Sequence, residues 1–132
     1  ERHDDQELLP LCADQHLGYT PFSPLAGGWL TGKYKSAQDF PPGSRMTLRP
    51  EPYAKLLNPS TFEALESFRQ QANERNISMG GLALAWVMSN PLVTAPIIGP
   101  RKIDHFQPVH EALTIELTQS DRQFLTDLFP GF

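Results

Sequence analysis

Two stretches of this sequence carry β-type residues, "GYTPF" at 18–22 and "VTAPIIGP" at 93–100, and residues 23–92 lie between them. The intervening and flanking sequence reads as loop and helix. Strands that alternate with helices pair in parallel through right-handed crossovers. A parallel pair by itself has two unpaired edges and cannot cover helices on its faces. The pattern therefore predicts a single partial α/β domain over residues 1–132, either a piece of a larger α/β unit or a chain that completes itself with another copy. The sequence opens Glu1-Arg2-His3, without an initiating methionine. We therefore expect either a chain cut from a longer one or a processed terminus.

The helical segments have clear signals. Leu8, Leu9, Leu11 and Cys12 make an apolar face behind Asp4 and Asp5, with Gly18 placed to end that helix. Residues 36–59 contain Pro41, Pro42, Pro50, Pro52 and Pro59, which predicts a long irregular and functional excursion. "STFE" at 60–63 reads as a capping box, followed by Phe62, Leu65, Phe68 and Ala72 on one face, and Asn76 offers a stop. Ser78 can cap "MGGLALAWVMSN", which is apolar nearly all round and so predicts a buried helix stopped by Pro91. Residues 102–113 and "TQSDRQFLTDLF" read as two more helices, the last capped by Thr118 with Asp121.

Composition excludes several functions. The formal net charge is −4, with no Lys/Arg cluster to offset phosphate charge, so no nucleic-acid or anionic-membrane partner is expected. The longest apolar run, Leu82 to Met88, is too short to span a bilayer. Cys12 is the one cysteine, which rules out an internal disulfide and fits a buried structural thiol in a reducing cytoplasm. His105 and His110 stand about 140° apart on a helix and do not make a metal site. His3 and His16 read as surface residues, Trp86 as core. Tyr19, Tyr34 and Tyr53 lack sequence neighbours that would lower a phenol's pKa.

"GYTPFSPLAGGWLTGKY", "PPGSR", "SMGGLALAWVMSNPLVTAPIIGPRK" and "LTQSDRQFLTDLF" together resemble the C-terminal part of the aldo-keto reductase superfamily. The resemblance is to the branch holding the potassium-channel β subunits and many bacterial reductases, and it covers essentially the whole chain. It implies a (β/α)8 barrel, which needs roughly 250 residues. The two β segments would then be barrel strands 7 and 8 with flanking helices, in an incomplete barrel, with Glu1 just after strand 6.

The same resemblance implies a site. Phe22 matches the aromatic that stacks on a nicotinamide ring. Ser23, Pro24, Leu25, Ala26 and Gly27 would pass along the pyrophosphate of the cofactor, chiefly through backbone N–H groups, because small residues allow close approach. Lys33 and Arg45 match basic positions that reach the cofactor. Ile98, Gly99, Pro100 and Arg101, at a strand end that runs into a helix, would take the adenosine 2′-phosphate, implying NADP(H) over NAD(H). His105, Pro108 and Val109 stand where the family places Gln, Glu and Asn against adenine and ribose; His105 can still donate or stack, whereas Pro108 and Val109 have no polar group to offer. Pro108 should also bend or shorten its helix. Trp29 is a candidate substrate contact.

The family's hydride transfer to a carbonyl carbon needs a tyrosine acid with a lysine, an aspartate and a histidine. These belong to the first half of the barrel, so this chain holds no catalytic set. The expectation is the cofactor-binding C-terminal part of an NADP(H)-dependent reductase of aldehydes and ketones, inactive in isolation. It would partner a carbonyl substrate in the full protein, and either an N-terminal half-barrel or itself. The alternatives are a non-catalytic NADPH-binding regulatory module and a non-functional fragment that oligomerises.

Overall fold

The computed structural model describes residues 4–130, so the start at Glu1 and the expectation for His3 lie outside the described residues. A π-helical turn, Asp4–Leu8, leads into α1 (Leu9–Asp14), and the long connection that follows holds α2 (Arg45–Leu48) with 3-10 turns at Ala26–Thr31 and Glu51–Leu56. Next come α3 (Pro59–Glu74), α4 (Met79–Met88), a 3-10 turn at Ile103–Phe106, α5 (Gln107–Thr114) and α6 (Gln119–Asp127).

The expected strand pair is reduced to one parallel bridge, Phe22 with Ile97. The Thr94 N–H donates to the Tyr19 carbonyl at 2.9 Å and the Ile97 N–H to the Pro21 carbonyl at 2.8 Å. Two prolines limit the ladder, because Pro21 and Pro96 have no N–H to give. The Tyr19 N–H goes instead to the Thr94 hydroxyl at 3.0 Å. The described residues are thus mostly helical, and the parallel direction of the two segments is what remains of the expected sheet.

Helix packing holds the molecule. Trp29, Tyr34, Phe68, Leu82 and Leu125 are the largest fully buried side chains, and one cluster joins them to Met46, Leu56, Leu65 and Ala72. Each such burial contributes roughly 1.5–3 kcal/mol, against about 1 kcal/mol net for each bridge hydrogen bond. The apolar run of α4 is buried from Met79 through Ala85, as its composition requires. It lies between α3 and α5, with Leu84, Ala85 and Ala112 in a second cluster.

Helix ends follow local chemistry, with two differences from expectation. α3 starts earlier than a box at Ser60 would allow. Asn58, extended at φ −144°, accepts the Thr61 N–H at 2.9 Å, and Pro59 takes the first helical position. Ser60 only donates its hydroxyl to the Asn58 side-chain oxygen Oδ1 at 2.6 Å. α1 ends at Asp14, with His16 rather than Gly18 in the left-handed region at φ 55° and the Leu17 N–H returning to the Cys12 carbonyl at 2.7 Å. Leu9 alone of its apolar face is buried; Leu8 and Leu11 are exposed and Cys12 is half-buried. The excursion at 36–59 is less irregular than its prolines suggest, anchored by buried Ser44, Met46 and Leu56. Asn76 stops α3 at φ 54°, Ser78 caps α4 through the Gly81 N–H, and Thr118 with Asp121 forms a capping box on α6.

Candidate functional site

A parallel bridge sends both chains onward in the same direction. The loop that leaves Phe22 and the loop that leaves Ile97 therefore emerge at one end of the molecule. Leu25 and Ile98 confirm the meeting by packing against the same Leu84–Ala85–Ala112 cluster. Phe22 stands at this end with 82% of its surface exposed, an apolar ring with no covering neighbour large enough to hide it.

The first loop is built from left-handed backbone. Ser23, Ala26, Gly27 and Gly28 have φ of 55°, 48°, 64° and 98°. Such values cost Ser and Ala of order 1–2 kcal/mol apiece, whereas glycine adopts them freely. The Ala26 N–H returns to the Ser23 carbonyl and the Gly28 N–H to the Leu25 carbonyl, each at 2.9 Å, so these two donors are engaged inside the loop.

Side chains then fill both glycine faces. A Cβ on Gly27 would sit 2.4 Å from the Tyr53 ring, and one on Gly28 would sit 2.3 Å from the end of Lys33. The Tyr53 hydroxyl lies 3.3 Å from that of Ser23. From the other side the Tyr34 hydroxyl donates to the Gly27 carbonyl at 3.1 Å. Lys33 Nζ stands 5.0 Å above the Tyr34 ring, a cation–π contact, and Arg45 is exposed at the start of α2. Ser23 is exposed while Pro24, Leu25, Ala26 and Gly27 are half-buried.

Trp29 is placed differently from a ligand contact. Only 1% of it is exposed, and its ring packs on Tyr34, Phe40 and Phe62. It anchors the loop to the core and presents no surface to a substrate in this arrangement. Trp86 is half-buried and donates its indole N–H to the Thr126 hydroxyl at 3.2 Å.

The second loop is open. Nothing lies within 4 Å of the place a Cβ on Gly99 would occupy. Arg101, Lys102 and His105 are exposed and Pro100 is half-buried. The Arg101 N–H donates to His105 Nδ1 at 3.1 Å, so it is not left free as a simple helix start would leave it. The turn Ile103–Phe106 replaces the first part of the expected helix, and α5 begins at Gln107 with Pro108 in its first turn. Pro108 therefore sets where the helix begins, since a missing N–H there breaks no intrahelical bond. Ile98 and Val109 face an apolar cavity of about 280 Å³ shared with Leu84, Met88, Val93 and Pro96.

A half-buried carboxylate ties α5 to the start of α4. Glu111 on α5 accepts the Ser78 hydroxyl and the Ser78 N–H, the latter at 2.9 Å, and the Gln107 amide at 3.0 Å. Burial pushes its carboxyl up, but these donors outweigh it and hold the group below the usual carboxylate range. Neither this contact nor that of Tyr53 with Gly27 was legible in the sequence, because each joins residues far apart in the chain. Burial and the hydrogen bond to Asp4 push the Tyr19 phenol up to about 12, which makes it a weaker acid than an ordinary tyrosine. Among the described residues no three His, Cys, Asp or Glu side chains gather to hold a metal ion, and no helix is long and apolar enough to cross a membrane.

Comparison with known proteins accords with this geometry. The sequence profile of the aldo/keto reductase family matches residues 1–128. The chain is 37% identical over 131 residues to "Uncharacterized oxidoreductase YrpG" of Bacillus subtilis, covering 99% of this chain and 38% of that protein. It is 37% identical over 115 residues to a "Probable voltage-gated potassium channel subunit beta" of Oryza sativa subsp. japonica, covering 84% of this chain and 34% of that one. Its fold matches the glycerol dehydrogenase AKR11B4 of Gluconobacter oxydans with a TM-score of 0.79 at 23% identity, over 98% of this chain and 39% of that one. The chain thus spans less than two-fifths of the length of these relatives. This chain belongs to the aldo/keto reductase family.

Proposed function

We propose that this chain is the C-terminal, cofactor-holding part of an NADP(H)-dependent aldo-keto reductase that reduces aldehydes or ketones to alcohols in the cytoplasm. The observation that carries the reading is the parallel bridge at Phe22 and Ile97, which brings an exposed aromatic, a glycine loop and an open basic loop to one end.

The residues fit such a cofactor at both ends. Phe22 offers an exposed apolar face for the nicotinamide, which supplies the hydride when bound. Arg101, with Lys102 beside it, offers exposed charge for the 2′-phosphate next to the open Gly99. Between them Ser23, Pro24, Leu25, Ala26 and Gly27 form the path, shaped from behind by Tyr53 and flanked by Lys33 and Arg45. At the adenine end only His105 keeps polar atoms for a contact, since Val109 turns to the apolar cavity. The phosphate contacts therefore bear more of the affinity. The proton donor and its partners come from the first half of the barrel, either in the same polypeptide or as a partner chain.

Arg101→Ala tests the reading. It removes a partner of the 2′-phosphate only, so NADPH affinity should fall about tenfold while NADH affinity stays near its starting value. Equal loss for both cofactors refutes the role.

The similarity to a potassium-channel β subunit supports a second reading, a regulatory module that senses nicotinamide redox state. Stoichiometric NADPH binding without carbonyl reduction in the full-length protein would select it over the reductase.

A further inference from the structure

The 98–105 loop contains a contact that the proposed phosphate site does not need for shape alone. The backbone N–H of Arg101 points at the ring of His105 and donates to Nδ1 at 3.1 Å, while the His105 N–H donates to the Lys102 carbonyl at 3.1 Å. The ring is thus folded back over the start of its own turn. An Nδ1 that accepts a hydrogen bond has no proton, so this geometry belongs to the neutral ring with its proton on Nε2. In that state the Arg101 amide is withheld from any anion, and the loop's charge comes from Arg101 and Lys102 alone.

We infer that His105 is a positioning residue that sets how strongly this loop takes a phosphomonoester, according to whether its ring is neutral or protonated. The inference rests on the reading of this loop as the 2′-phosphate site. Protonation turns Nδ1 from an acceptor into a donor, which breaks the bond from Arg101. The amide then becomes available to a phosphate oxygen, and a third positive charge joins Arg101 and Lys102. Both changes favour the anion, and by linkage a bound phosphate favours the protonated ring. The other charged groups around the turn are Asp104 on the turn itself, and His110 and Glu111 on α5, the helix packed against it. Glu111 is engaged with Ser78 and Gln107, so it does not compete for the imidazolium. Asp104 stands in the same turn, on the side of the opposing charge in every variant.

The test compares the protein with His105→Asn and His105→Ala at pH 8 and pH 6, with NADP⁺ and NAD⁺ titrated by calorimetry. Asparagine presents its carbonyl oxygen near the position of Nδ1 and does not titrate, so it keeps the Arg101 bond at both pH values. The 2′-phosphate itself takes up a proton near pH 6, but it does so equally in every variant, which leaves the difference between proteins to His105. The wild type should gain about three- to fivefold in NADP⁺ affinity at pH 6 relative to His105→Asn, the scale of one exposed ion pair. The gain should appear in the ratio of NADP⁺ to NAD⁺ affinity, since a contact of His105 with adenine is common to both cofactors. His105→Ala should bind NADP⁺ more tightly than His105→Asn at pH 8, since its Arg101 amide is free. Parallel behaviour of wild type and His105→Asn overturns the inference while leaving the 2′-phosphate reading in place. Equal binding of NADP⁺ and NAD⁺ by every variant overturns both.

Discussion

Gly27 shows how one residue type decides the shape of the cofactor loop. Its φ of 64° and the Tyr53 ring 2.4 Å from a would-be Cβ exclude any side chain. Gly27→Ala should lower stability by about 1–3 kcal/mol, from left-handed backbone plus displacement of Tyr53. Chemical denaturation measures it, and Tyr53→Ala combined with Gly27→Ala should recover part of the loss, because the ring that clashes is gone. The family resemblance implies that this glycine is kept bare for a ligand's approach. The ring of Tyr53 on its face adds a packing role that residues 26 positions apart do not advertise. Trp29 carries the opposite lesson. A tryptophan between glycines reads as available, yet burial against Tyr34, Phe40 and Phe62 makes it the loop's anchor.

Among the elements, α3 and α6 separate caps that are visible in the sequence from those that are not. Thr118 and Asp121 satisfy each other's backbone at 3.0 and 3.1 Å, as a Thr-x-x-Asp pattern allows. At α3 the pattern Ser-x-x-Glu was a decoy, because Pro59 sets the first helical position and moves the cap to Asn58. Asn58→Ala should therefore cost about 1 kcal/mol in thermal or chemical unfolding, and Ser60→Ala only a few tenths. Reversed magnitudes would restore the box at Ser60. Helices α5 and α6 also carry a pH dependence. Hydrogen bonds from Thr118 hold the Asp121 carboxyl below its usual range, aided by Arg75 at 2.7 Å, and those from Ser78 do the same for Glu111 against burial. Carboxyls lowered on folding give stability that is complete above the unfolded value near 4 and lost as the pH falls through the lowered folded values. Unfolding midpoints should thus drop as the pH falls below about 4, and Asp121→Asn with Glu111→Gln should flatten that drop.

For the molecule as a whole, the same two β segments that frame the site leave their outer edges unpaired, with Phe22 at 82% and Ile97 at 55% exposure. An aromatic and an isoleucine in this setting favour association. The chain alone should sediment as concentration-dependent oligomers, and Ile97→Lys should shift it toward monomer; a monomer at all concentrations would remove the case for a missing barrel partner. Sequence by itself determined that α3, α4 and α6 are helices, the burial of α4, the terminal cap and the family, because those depend on periodicity, apolar content and short-range hydrogen bonds that neighbouring residues carry with them. It overstated the strands, since Pro21 and Pro96 withhold donors and a ladder needs a partner on each edge. Only the tertiary structure decided that Tyr53 backs Gly27, that Glu111 closes the start of α4, and that His105 holds the Arg101 amide. The first two contacts are made across folded loops between distant residues, and the third depends on which way a single ring turns. Spacing along a chain specifies neither.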